Sequence, residues 1–116
     1  MGLQIVSPSA AIRQTAFAHS APVTKRVPVV IGGQAFLPVN SALANAETNY
    51  IYRAELQDAP KAAGEAWAVG QAIYWSAANS NFTTTSASNT LCGHALQPAD
   101  SAATESPLFE FDSFAA

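Results

Sequence analysis

Short runs of β-branched and aromatic residues recur along this chain, and stretches with helical periodicity are few. Val27-Pro28-Val29-Val30-Ile31 closes on Gly32-Gly33, and Gln34 to Val39 follows. Two β-rich runs around a glycine pair predict a hairpin. Thr48 to Ala54 (TNYIYRA) alternates Tyr50 and Tyr52 with Asn49, Ile51 and Arg53. A period of two predicts a strand exposed on one side. Ala72 to Ser76 (AIYWS), Asn81 to Thr85 (NFTTT), Thr90 to Leu96 (TLCGHAL) and Ser106 to Asp112 (SPLFEFD) complete the set. Six to eight short strands, spaced roughly ten residues apart with turn residues between, predict an all-β fold. The expected architecture is a small antiparallel β-barrel or sandwich, jelly-roll-like.

Two stretches break the pattern. Ser41 to Ala46 and Pro60 to Val69 have the propensity for helical turns. Gly64 interrupts the second, which therefore reads as a loop with one turn of helix at most. The beginning of the chain is looser, with Pro8, Pro22 and Pro28 among many Ser and Ala, and one strand candidate at Ala11 to His19. Residues 1–26 read as an extended N-terminal arm and residues 27–116 as the β-barrel domain. An ordinary edge strand packed on its own barrel is the alternative, and both stay open on the sequence alone.

Composition narrows the function. The apolar fraction is 49%, but much of it is alanine, which buries little area. A core built from two Trp, three Tyr, six Phe and scattered aliphatics leaves a narrow margin over chain entropy. A partner surface is therefore expected to supply part of the stability. Charged residues make up 11%, against about 25% in ordinary domains. The net charge of −3 opposes a nucleic-acid partner, because phosphate contacts need clustered Lys and Arg. Lys25-Arg26 is the one basic pair. Residues 1–8 lack the basic and apolar regions of a signal peptide, and no apolar run is long enough to cross a bilayer. The chain is expected to be soluble, free of membrane contact and made in a cytoplasm.

Candidate chemistry is thin. Cys92 is the single cysteine, so neither an intrachain disulfide nor a thiolate metal cluster is available. His19 and His94 are the two imidazoles, and neither has a second ligand at metal-binding spacing. Cys92 and His94 sit one position apart, which would suit a nucleophile and its base. Two side chains on a half-buried strand are the plainer reading. Glu47, Asp58, Glu65 and Asp100 are scattered in loops and read as solvating charges. No G-x-S-x-G occurs, and Gly64 and Gly70 lack a following Gly-Lys-Ser/Thr. No catalytic residue, cofactor or metal is expected.

The most informative stretch runs from Ala59 to Ala95. Gly70 permits a tight turn into a strand on which Ile73 and Trp75 face one way and Ala72 and Tyr74 the other. Asn79-Ser80-Asn81 makes the next turn through side chains that bond their own backbone. Phe82 to Thr85 returns antiparallel, and Gly93 marks a bulge or the close approach of another backbone. Ile73, Trp75, Gly70 and Gly93 are accordingly the structural positions expected to matter most.

This stretch resembles a family of phage head proteins, the capsid cement or decoration proteins. Its typical run is matched here by Pro60-Lys61-Ala62, Gly64, Ala66 to Gly70, Ile73-Tyr74-Trp75, Thr83-Thr84, Asn89 and Cys92-Gly93-His94-Ala95. Cys92 replaces the usual branched aliphatic, and Ser7-Pro8-Ser9-Ala10 stands where a Gly-Asp is common. The resemblance implies a structural virion protein bound to the outside of the expanded capsid at its symmetry axes. It would stabilise the shell against the pressure of packaged DNA. Its partners would be the major capsid protein and copies of itself, as a homotrimer or a dimer. Ile5, Ile12, Arg13, Phe17, Lys25 and Arg26 are the expected capsid or subunit contacts. The alternative is a virion-surface module that binds host glycans through Tyr50, Tyr52, Trp67 or Trp75.

Overall fold

The computed structural model describes residues 2–7 and 11–115, and every element of regular structure named in it is a strand. They are β1 (Gln4–Ile5), β2 (Arg13–Ala18), β3 (Val29–Ile31), β4 (Gln34–Pro38), β5 (Glu47–Gln57), β6 (Ala72–Ser76), β7 (Asn81–Thr83), β8 (Thr90–Ala95) and β9 (Phe109–Asp112). All nine belong to one curled antiparallel sheet, ordered β3-β4-β5-β9-β8-β6-β7, with β1 and β2 also on β5. The curl makes a half-barrel, so the fold is the all-β class that the strand spacing predicts. Neither Ser41 to Ala46 nor Pro60 to Val69 contains a helical turn.

The eleven-residue β5 organises the sheet. Along one edge it pairs with β2 and then β1. Along the other it pairs with β4 at Tyr50 and Ile51, and with β9 from Arg53 to Leu56. Arg13 faces Arg53 while Gln14 faces Ile51, so Tyr52 is one residue too many on β5. This bulge reverses which parity points inward. Ile51 is buried before it, and Ala54 and Leu56 after it. Arg53 and Glu55 consequently point to solvent. Pure alternation over residues 48–54 misses this, because a period of two has no place for an extra residue.

A second bulge lies in β8. Ile73 pairs with Gly93 and Tyr74 with Leu91, leaving Cys92 unmatched. The bulge carries the Cys92 side chain into the core, where its S–H donates to the Ile73 carbonyl at 3.6 Å. At Gly93 the backbone of β9 comes so close that any Cβ would run into the Glu110 carbonyl oxygen. Only glycine fits there.

The concave side holds the main core. Leu37, Ile51, Leu56, Ile73, Phe82, Phe109 and Phe111 are almost fully buried, with Trp67 and Trp75 beside them. Trp75 and Phe109 both pack on Phe82 with ring centroids 4.9 Å apart. Leu3 is buried in this cluster, and Ile5 and Ile12 pack against it. The free edge of β7 is covered by the Pro60–Ala62 segment, which exchanges backbone hydrogen bonds with Phe82.

Lys61 anchors that segment from inside. Although it is 3% exposed, its ammonium donates to the carbonyls of Ala62, Glu65 and Ala103 and lies over the Trp67 ring. All three N–H groups are satisfied, which is what makes a buried ammonium tolerable.

Candidate functional site

The features that distinguish the surface lie at the β2–β5–β4–β3 end of the sheet. There the sheet is apolar on its second face too. Val23, Phe36 and Tyr50 are buried in a small cluster, with Phe17, Val29, Ile31, Ala42 and Tyr52 packed against it. Phe17 stacks on Tyr50, and Phe36 meets the rings of Phe17, Tyr50 and Phe114 edge-on. Tyr50 is so enclosed that burial pushes its phenol above the ordinary range.

This second cluster is incompletely covered. Phe114 is 58% exposed while touching Phe36 and Tyr52. Leu43, at 80%, stands on the loop that pairs Ala42 with Val23, and Val27 and Val30 are exposed just before and within β3. Large apolar groups left in water around an aromatic cluster mark a contact surface more often than accident.

A free sheet edge adjoins it. β2 hydrogen-bonds to β5 on one side, and among the described residues no strand pairs with its other side. Five of its six residues are exposed, Phe17 being the half-buried one. Such an edge is a template for another strand unless it is blunted. Arg13 is the one charge in β2.

The residues expected to make contacts divide by position. Ile5 and Ile12 are half-buried against the main core, and Phe17 belongs to the aromatic cluster. Arg13 and Lys25 are exposed, and Ser41 Oγ accepts from the Lys25 backbone N–H. Arg26 donates from Nη1 to the Leu3 carbonyl at 3.2 Å and from its backbone N–H to Pro38. These two bonds clip Leu3, just before β1, to the end of β4, and Arg26 holds φ at +60°, a left-handed conformation rare for a non-glycine. Ile73 and Trp75 lie in the main core, Gly93 at the β9 crossing, and Gly70 in an exposed turn with φ +85°.

The groups with possible chemistry stay apart. Cys92 is fully enclosed, and burial drives its thiol far above the usual range, away from the thiolate a nucleophile needs. His94 sits half-buried between Ala72 and Glu110 in the sheet, and His19 half-buried just after β2. Among the described residues no three His, Cys, Asp or Glu side chains come together as a metal site. Tyr50, Trp67 and Trp75 are buried and Tyr52 half-buried, leaving the first three no open ring face for a sugar.

Glu65 is the residue that sequence reasoning undervalued. Its carboxylate accepts from Thr83 Oγ1, Thr85 Oγ1 and the Thr84 backbone N–H. Burial alone would raise its pKa, but these hydrogen bonds outweigh that and hold it below the ordinary value. The Thr-Thr pair and the glycine before Glu65 were visible in the sequence. What was missing was the return of β7 beside the 60–65 loop, a contact about twenty residues distant.

Comparison with curated proteins and with solved structures gave no significant match. A family model described as phage cement protein matches residues 6–108, which takes in seven of the nine strands, β2 to β8, both bulges and most of the aromatic rim. On that match, spanning nearly the whole sheet, the chain belongs to the phage cement protein family, with a structural role at the phage capsid.

Proposed function

We propose that the protein binds the outer surface of the expanded phage capsid at its symmetry axes and stabilises the shell against the pressure of packaged DNA. The observation that carries this reading is the pairing of an incompletely covered aromatic face with a free strand edge at one end of the sheet. An apolar rim gives area to bury, and an edge strand gives backbone hydrogen bonds to a neighbour. Each contact is modest. Repeated over the lattice, and made to the expanded state alone, the contacts shift the equilibrium toward that state by mass action.

Within this reading residues 1–26 are the main contacting segment, supported by the exposure of β2 and the clip at Arg26. Arg13 and Lys25 add salt-sensitive contacts to acidic groups of the major capsid protein. Self-association as a homotrimer suits local threefold points of an icosahedral shell, since closed cyclic assemblies match such points. A dimer would suit twofold axes.

The test is decoration. Purified protein is mixed with expanded and with unexpanded shells, and bound copies are counted after sedimentation and imaged on the particle. Binding restricted to expanded shells, with density at symmetry axes, is the expected result. Equal binding to both states, or none, overturns the proposal.

A further inference from the structure

A pocket of about 340 Å³ opens beside the β6–β7 turn, on a different part of the surface from the aromatic rim. Glu65, Ser76, Asn81, Thr83, Ala87 and Asn89 are among the residues that line it. The 84–89 loop that frames it is held by its own bonds, with Asn89 Nδ2 donating to the Thr85 carbonyl at 2.9 Å.

The lining specifies what would fit. Every charged side chain in it is one carboxylate, Glu65, surrounded by hydroxyls and amides. Asn81 Oδ1 is a second acceptor, buried beside the pocket with no hydrogen-bond partner. The Glu65 oxygens accept three hydrogen bonds, two at Oε2 and one at Oε1, which leaves acceptor capacity at Oε1. Lys61 is near enough to feel this charge, yet its ammonium is already committed to three backbone carbonyls. A ligand must therefore bring positive charge and several donors.

A divalent cation would want more anionic oxygens than one carboxylate supplies. A sugar would want an aromatic platform, and no aromatic ring lines the pocket. A guanidinium, planar with five donors, satisfies a carboxylate and neighbouring neutral oxygens together. We propose that this pocket is a receptor for an arginine side chain presented by a partner protein, with Glu65 as its counter-charge. The threonine run then has a second purpose. By fixing both carboxylate oxygens before the partner arrives, it removes the cost of ordering a flexible glutamate on binding.

The experiment needs no capsid, so its failure leaves the decoration reading standing. The amide resonances of the full chain are followed by NMR while acetyl-arginine-amide is added, with acetyl-citrulline-amide as the uncharged isostere. Saturable shifts at Asn81, Thr83, Thr84 and Asn89 with arginine, at least about tenfold weaker with citrulline, are expected from a charge-assisted contact. Glu65→Gln should abolish them. Because that change also disturbs the threonine bonds, Ala87→Phe puts a bulky ring into the pocket lining and leaves Glu65 untouched, and it should abolish them too. Absence of saturable shifts, equal response to citrulline, or a response surviving both variants overturns the proposal.

Discussion

Phe17 lies flat on Tyr50, with ring centroids 4.1 Å apart and planes within 7° of parallel. The contact ties the exposed β2 to the central β5, whose Tyr50 is nearly fully buried. Elsewhere β2 offers small or polar side chains to solvent, so this one ring carries most of its side-chain anchorage. Phe17→Ala removes the stack and part of its buried area, and should cost about 1–2 kcal/mol. Denaturant titration measures the loss. Hydrogen exchange of residues 13–18 should accelerate well beyond that of β6 and β8. Uniform acceleration of the whole sheet would mean that β2 is no separate unit.

The strands legible in the sequence were those whose signals are local. The Gly32-Gly33 hairpin and the AIYWS strand emerge as β3–β4 and β6, because glycine pairs and inward-facing Ile73 and Trp75 act within a few residues. β1, two residues long, escaped notice: Gln4-Ile5 has no periodicity of its own and exists through pairing with Gln57 and Leu56. The irregularity at Gly93 was legible from its glycine, whereas the Tyr52 bulge in β5 and the burial of Lys61 escaped for the same reason as β1. Each depends on a partner brought close by the curl of the sheet, and single-chain periodicity does not encode it. Glu65 was legible as an acid but not as an ordered one.

Trp75 tests the main core. It is 4% exposed and packs on Phe82, which in turn supports Phe109. Trp75→Ala leaves a large cavity beside two other rings and should cost about 3–5 kcal/mol, enough to unfold a small domain. Thermal melting within a degree or two of the parent would contradict the packing described.

Two glycines should respond differently to alanine. At Gly93 the added methyl meets the Glu110 backbone, which cannot move without disturbing β9. The expected loss is about 3 kcal/mol or more, at the upper end of overpacking costs. At Gly70 nothing lies within reach, and the penalty is the left-handed φ of +85° alone. About 1–2 kcal/mol is expected there. Paired melting curves decide, and equal losses would refute the crossing.

Acid should weaken the protein partly through Glu65. Its native pKa lies below the ordinary 4.5, so the ionised form is favoured by folding. That stabilisation is fully present above about pH 4.5 and is lost as pH falls through the lowered native value. Glu65→Gln lacks the titration. The gap in Tm between parent and variant should therefore be widest near neutrality and close in acid. A gap that stays constant with pH would show that the threonine bonds do not depend on the charge.

The rim provides the sharpest separation of stability from assembly. Leu43 and Phe114 are 80% and 58% exposed, so folding derives little from either. Leu43→Gln should change stability by no more than about 0.5 kcal/mol, the usual range for surface positions. Phe114→Ser should cost about 1 kcal/mol, because it also gives up edge contacts with Phe36 and Tyr52. Decoration should respond far more strongly. If these side chains are buried against a capsid or a neighbouring copy, removing both should weaken binding roughly tenfold or more, as central apolar contacts do. Val69, 68% exposed but outside the aromatic cluster, is the matched control. Val69→Gln should leave decoration unchanged. Were the double variant to bind shells as tightly as Val69→Gln, the aromatic end of the sheet would not be the contact surface, and the free edge of β2 would have to make the contact alone.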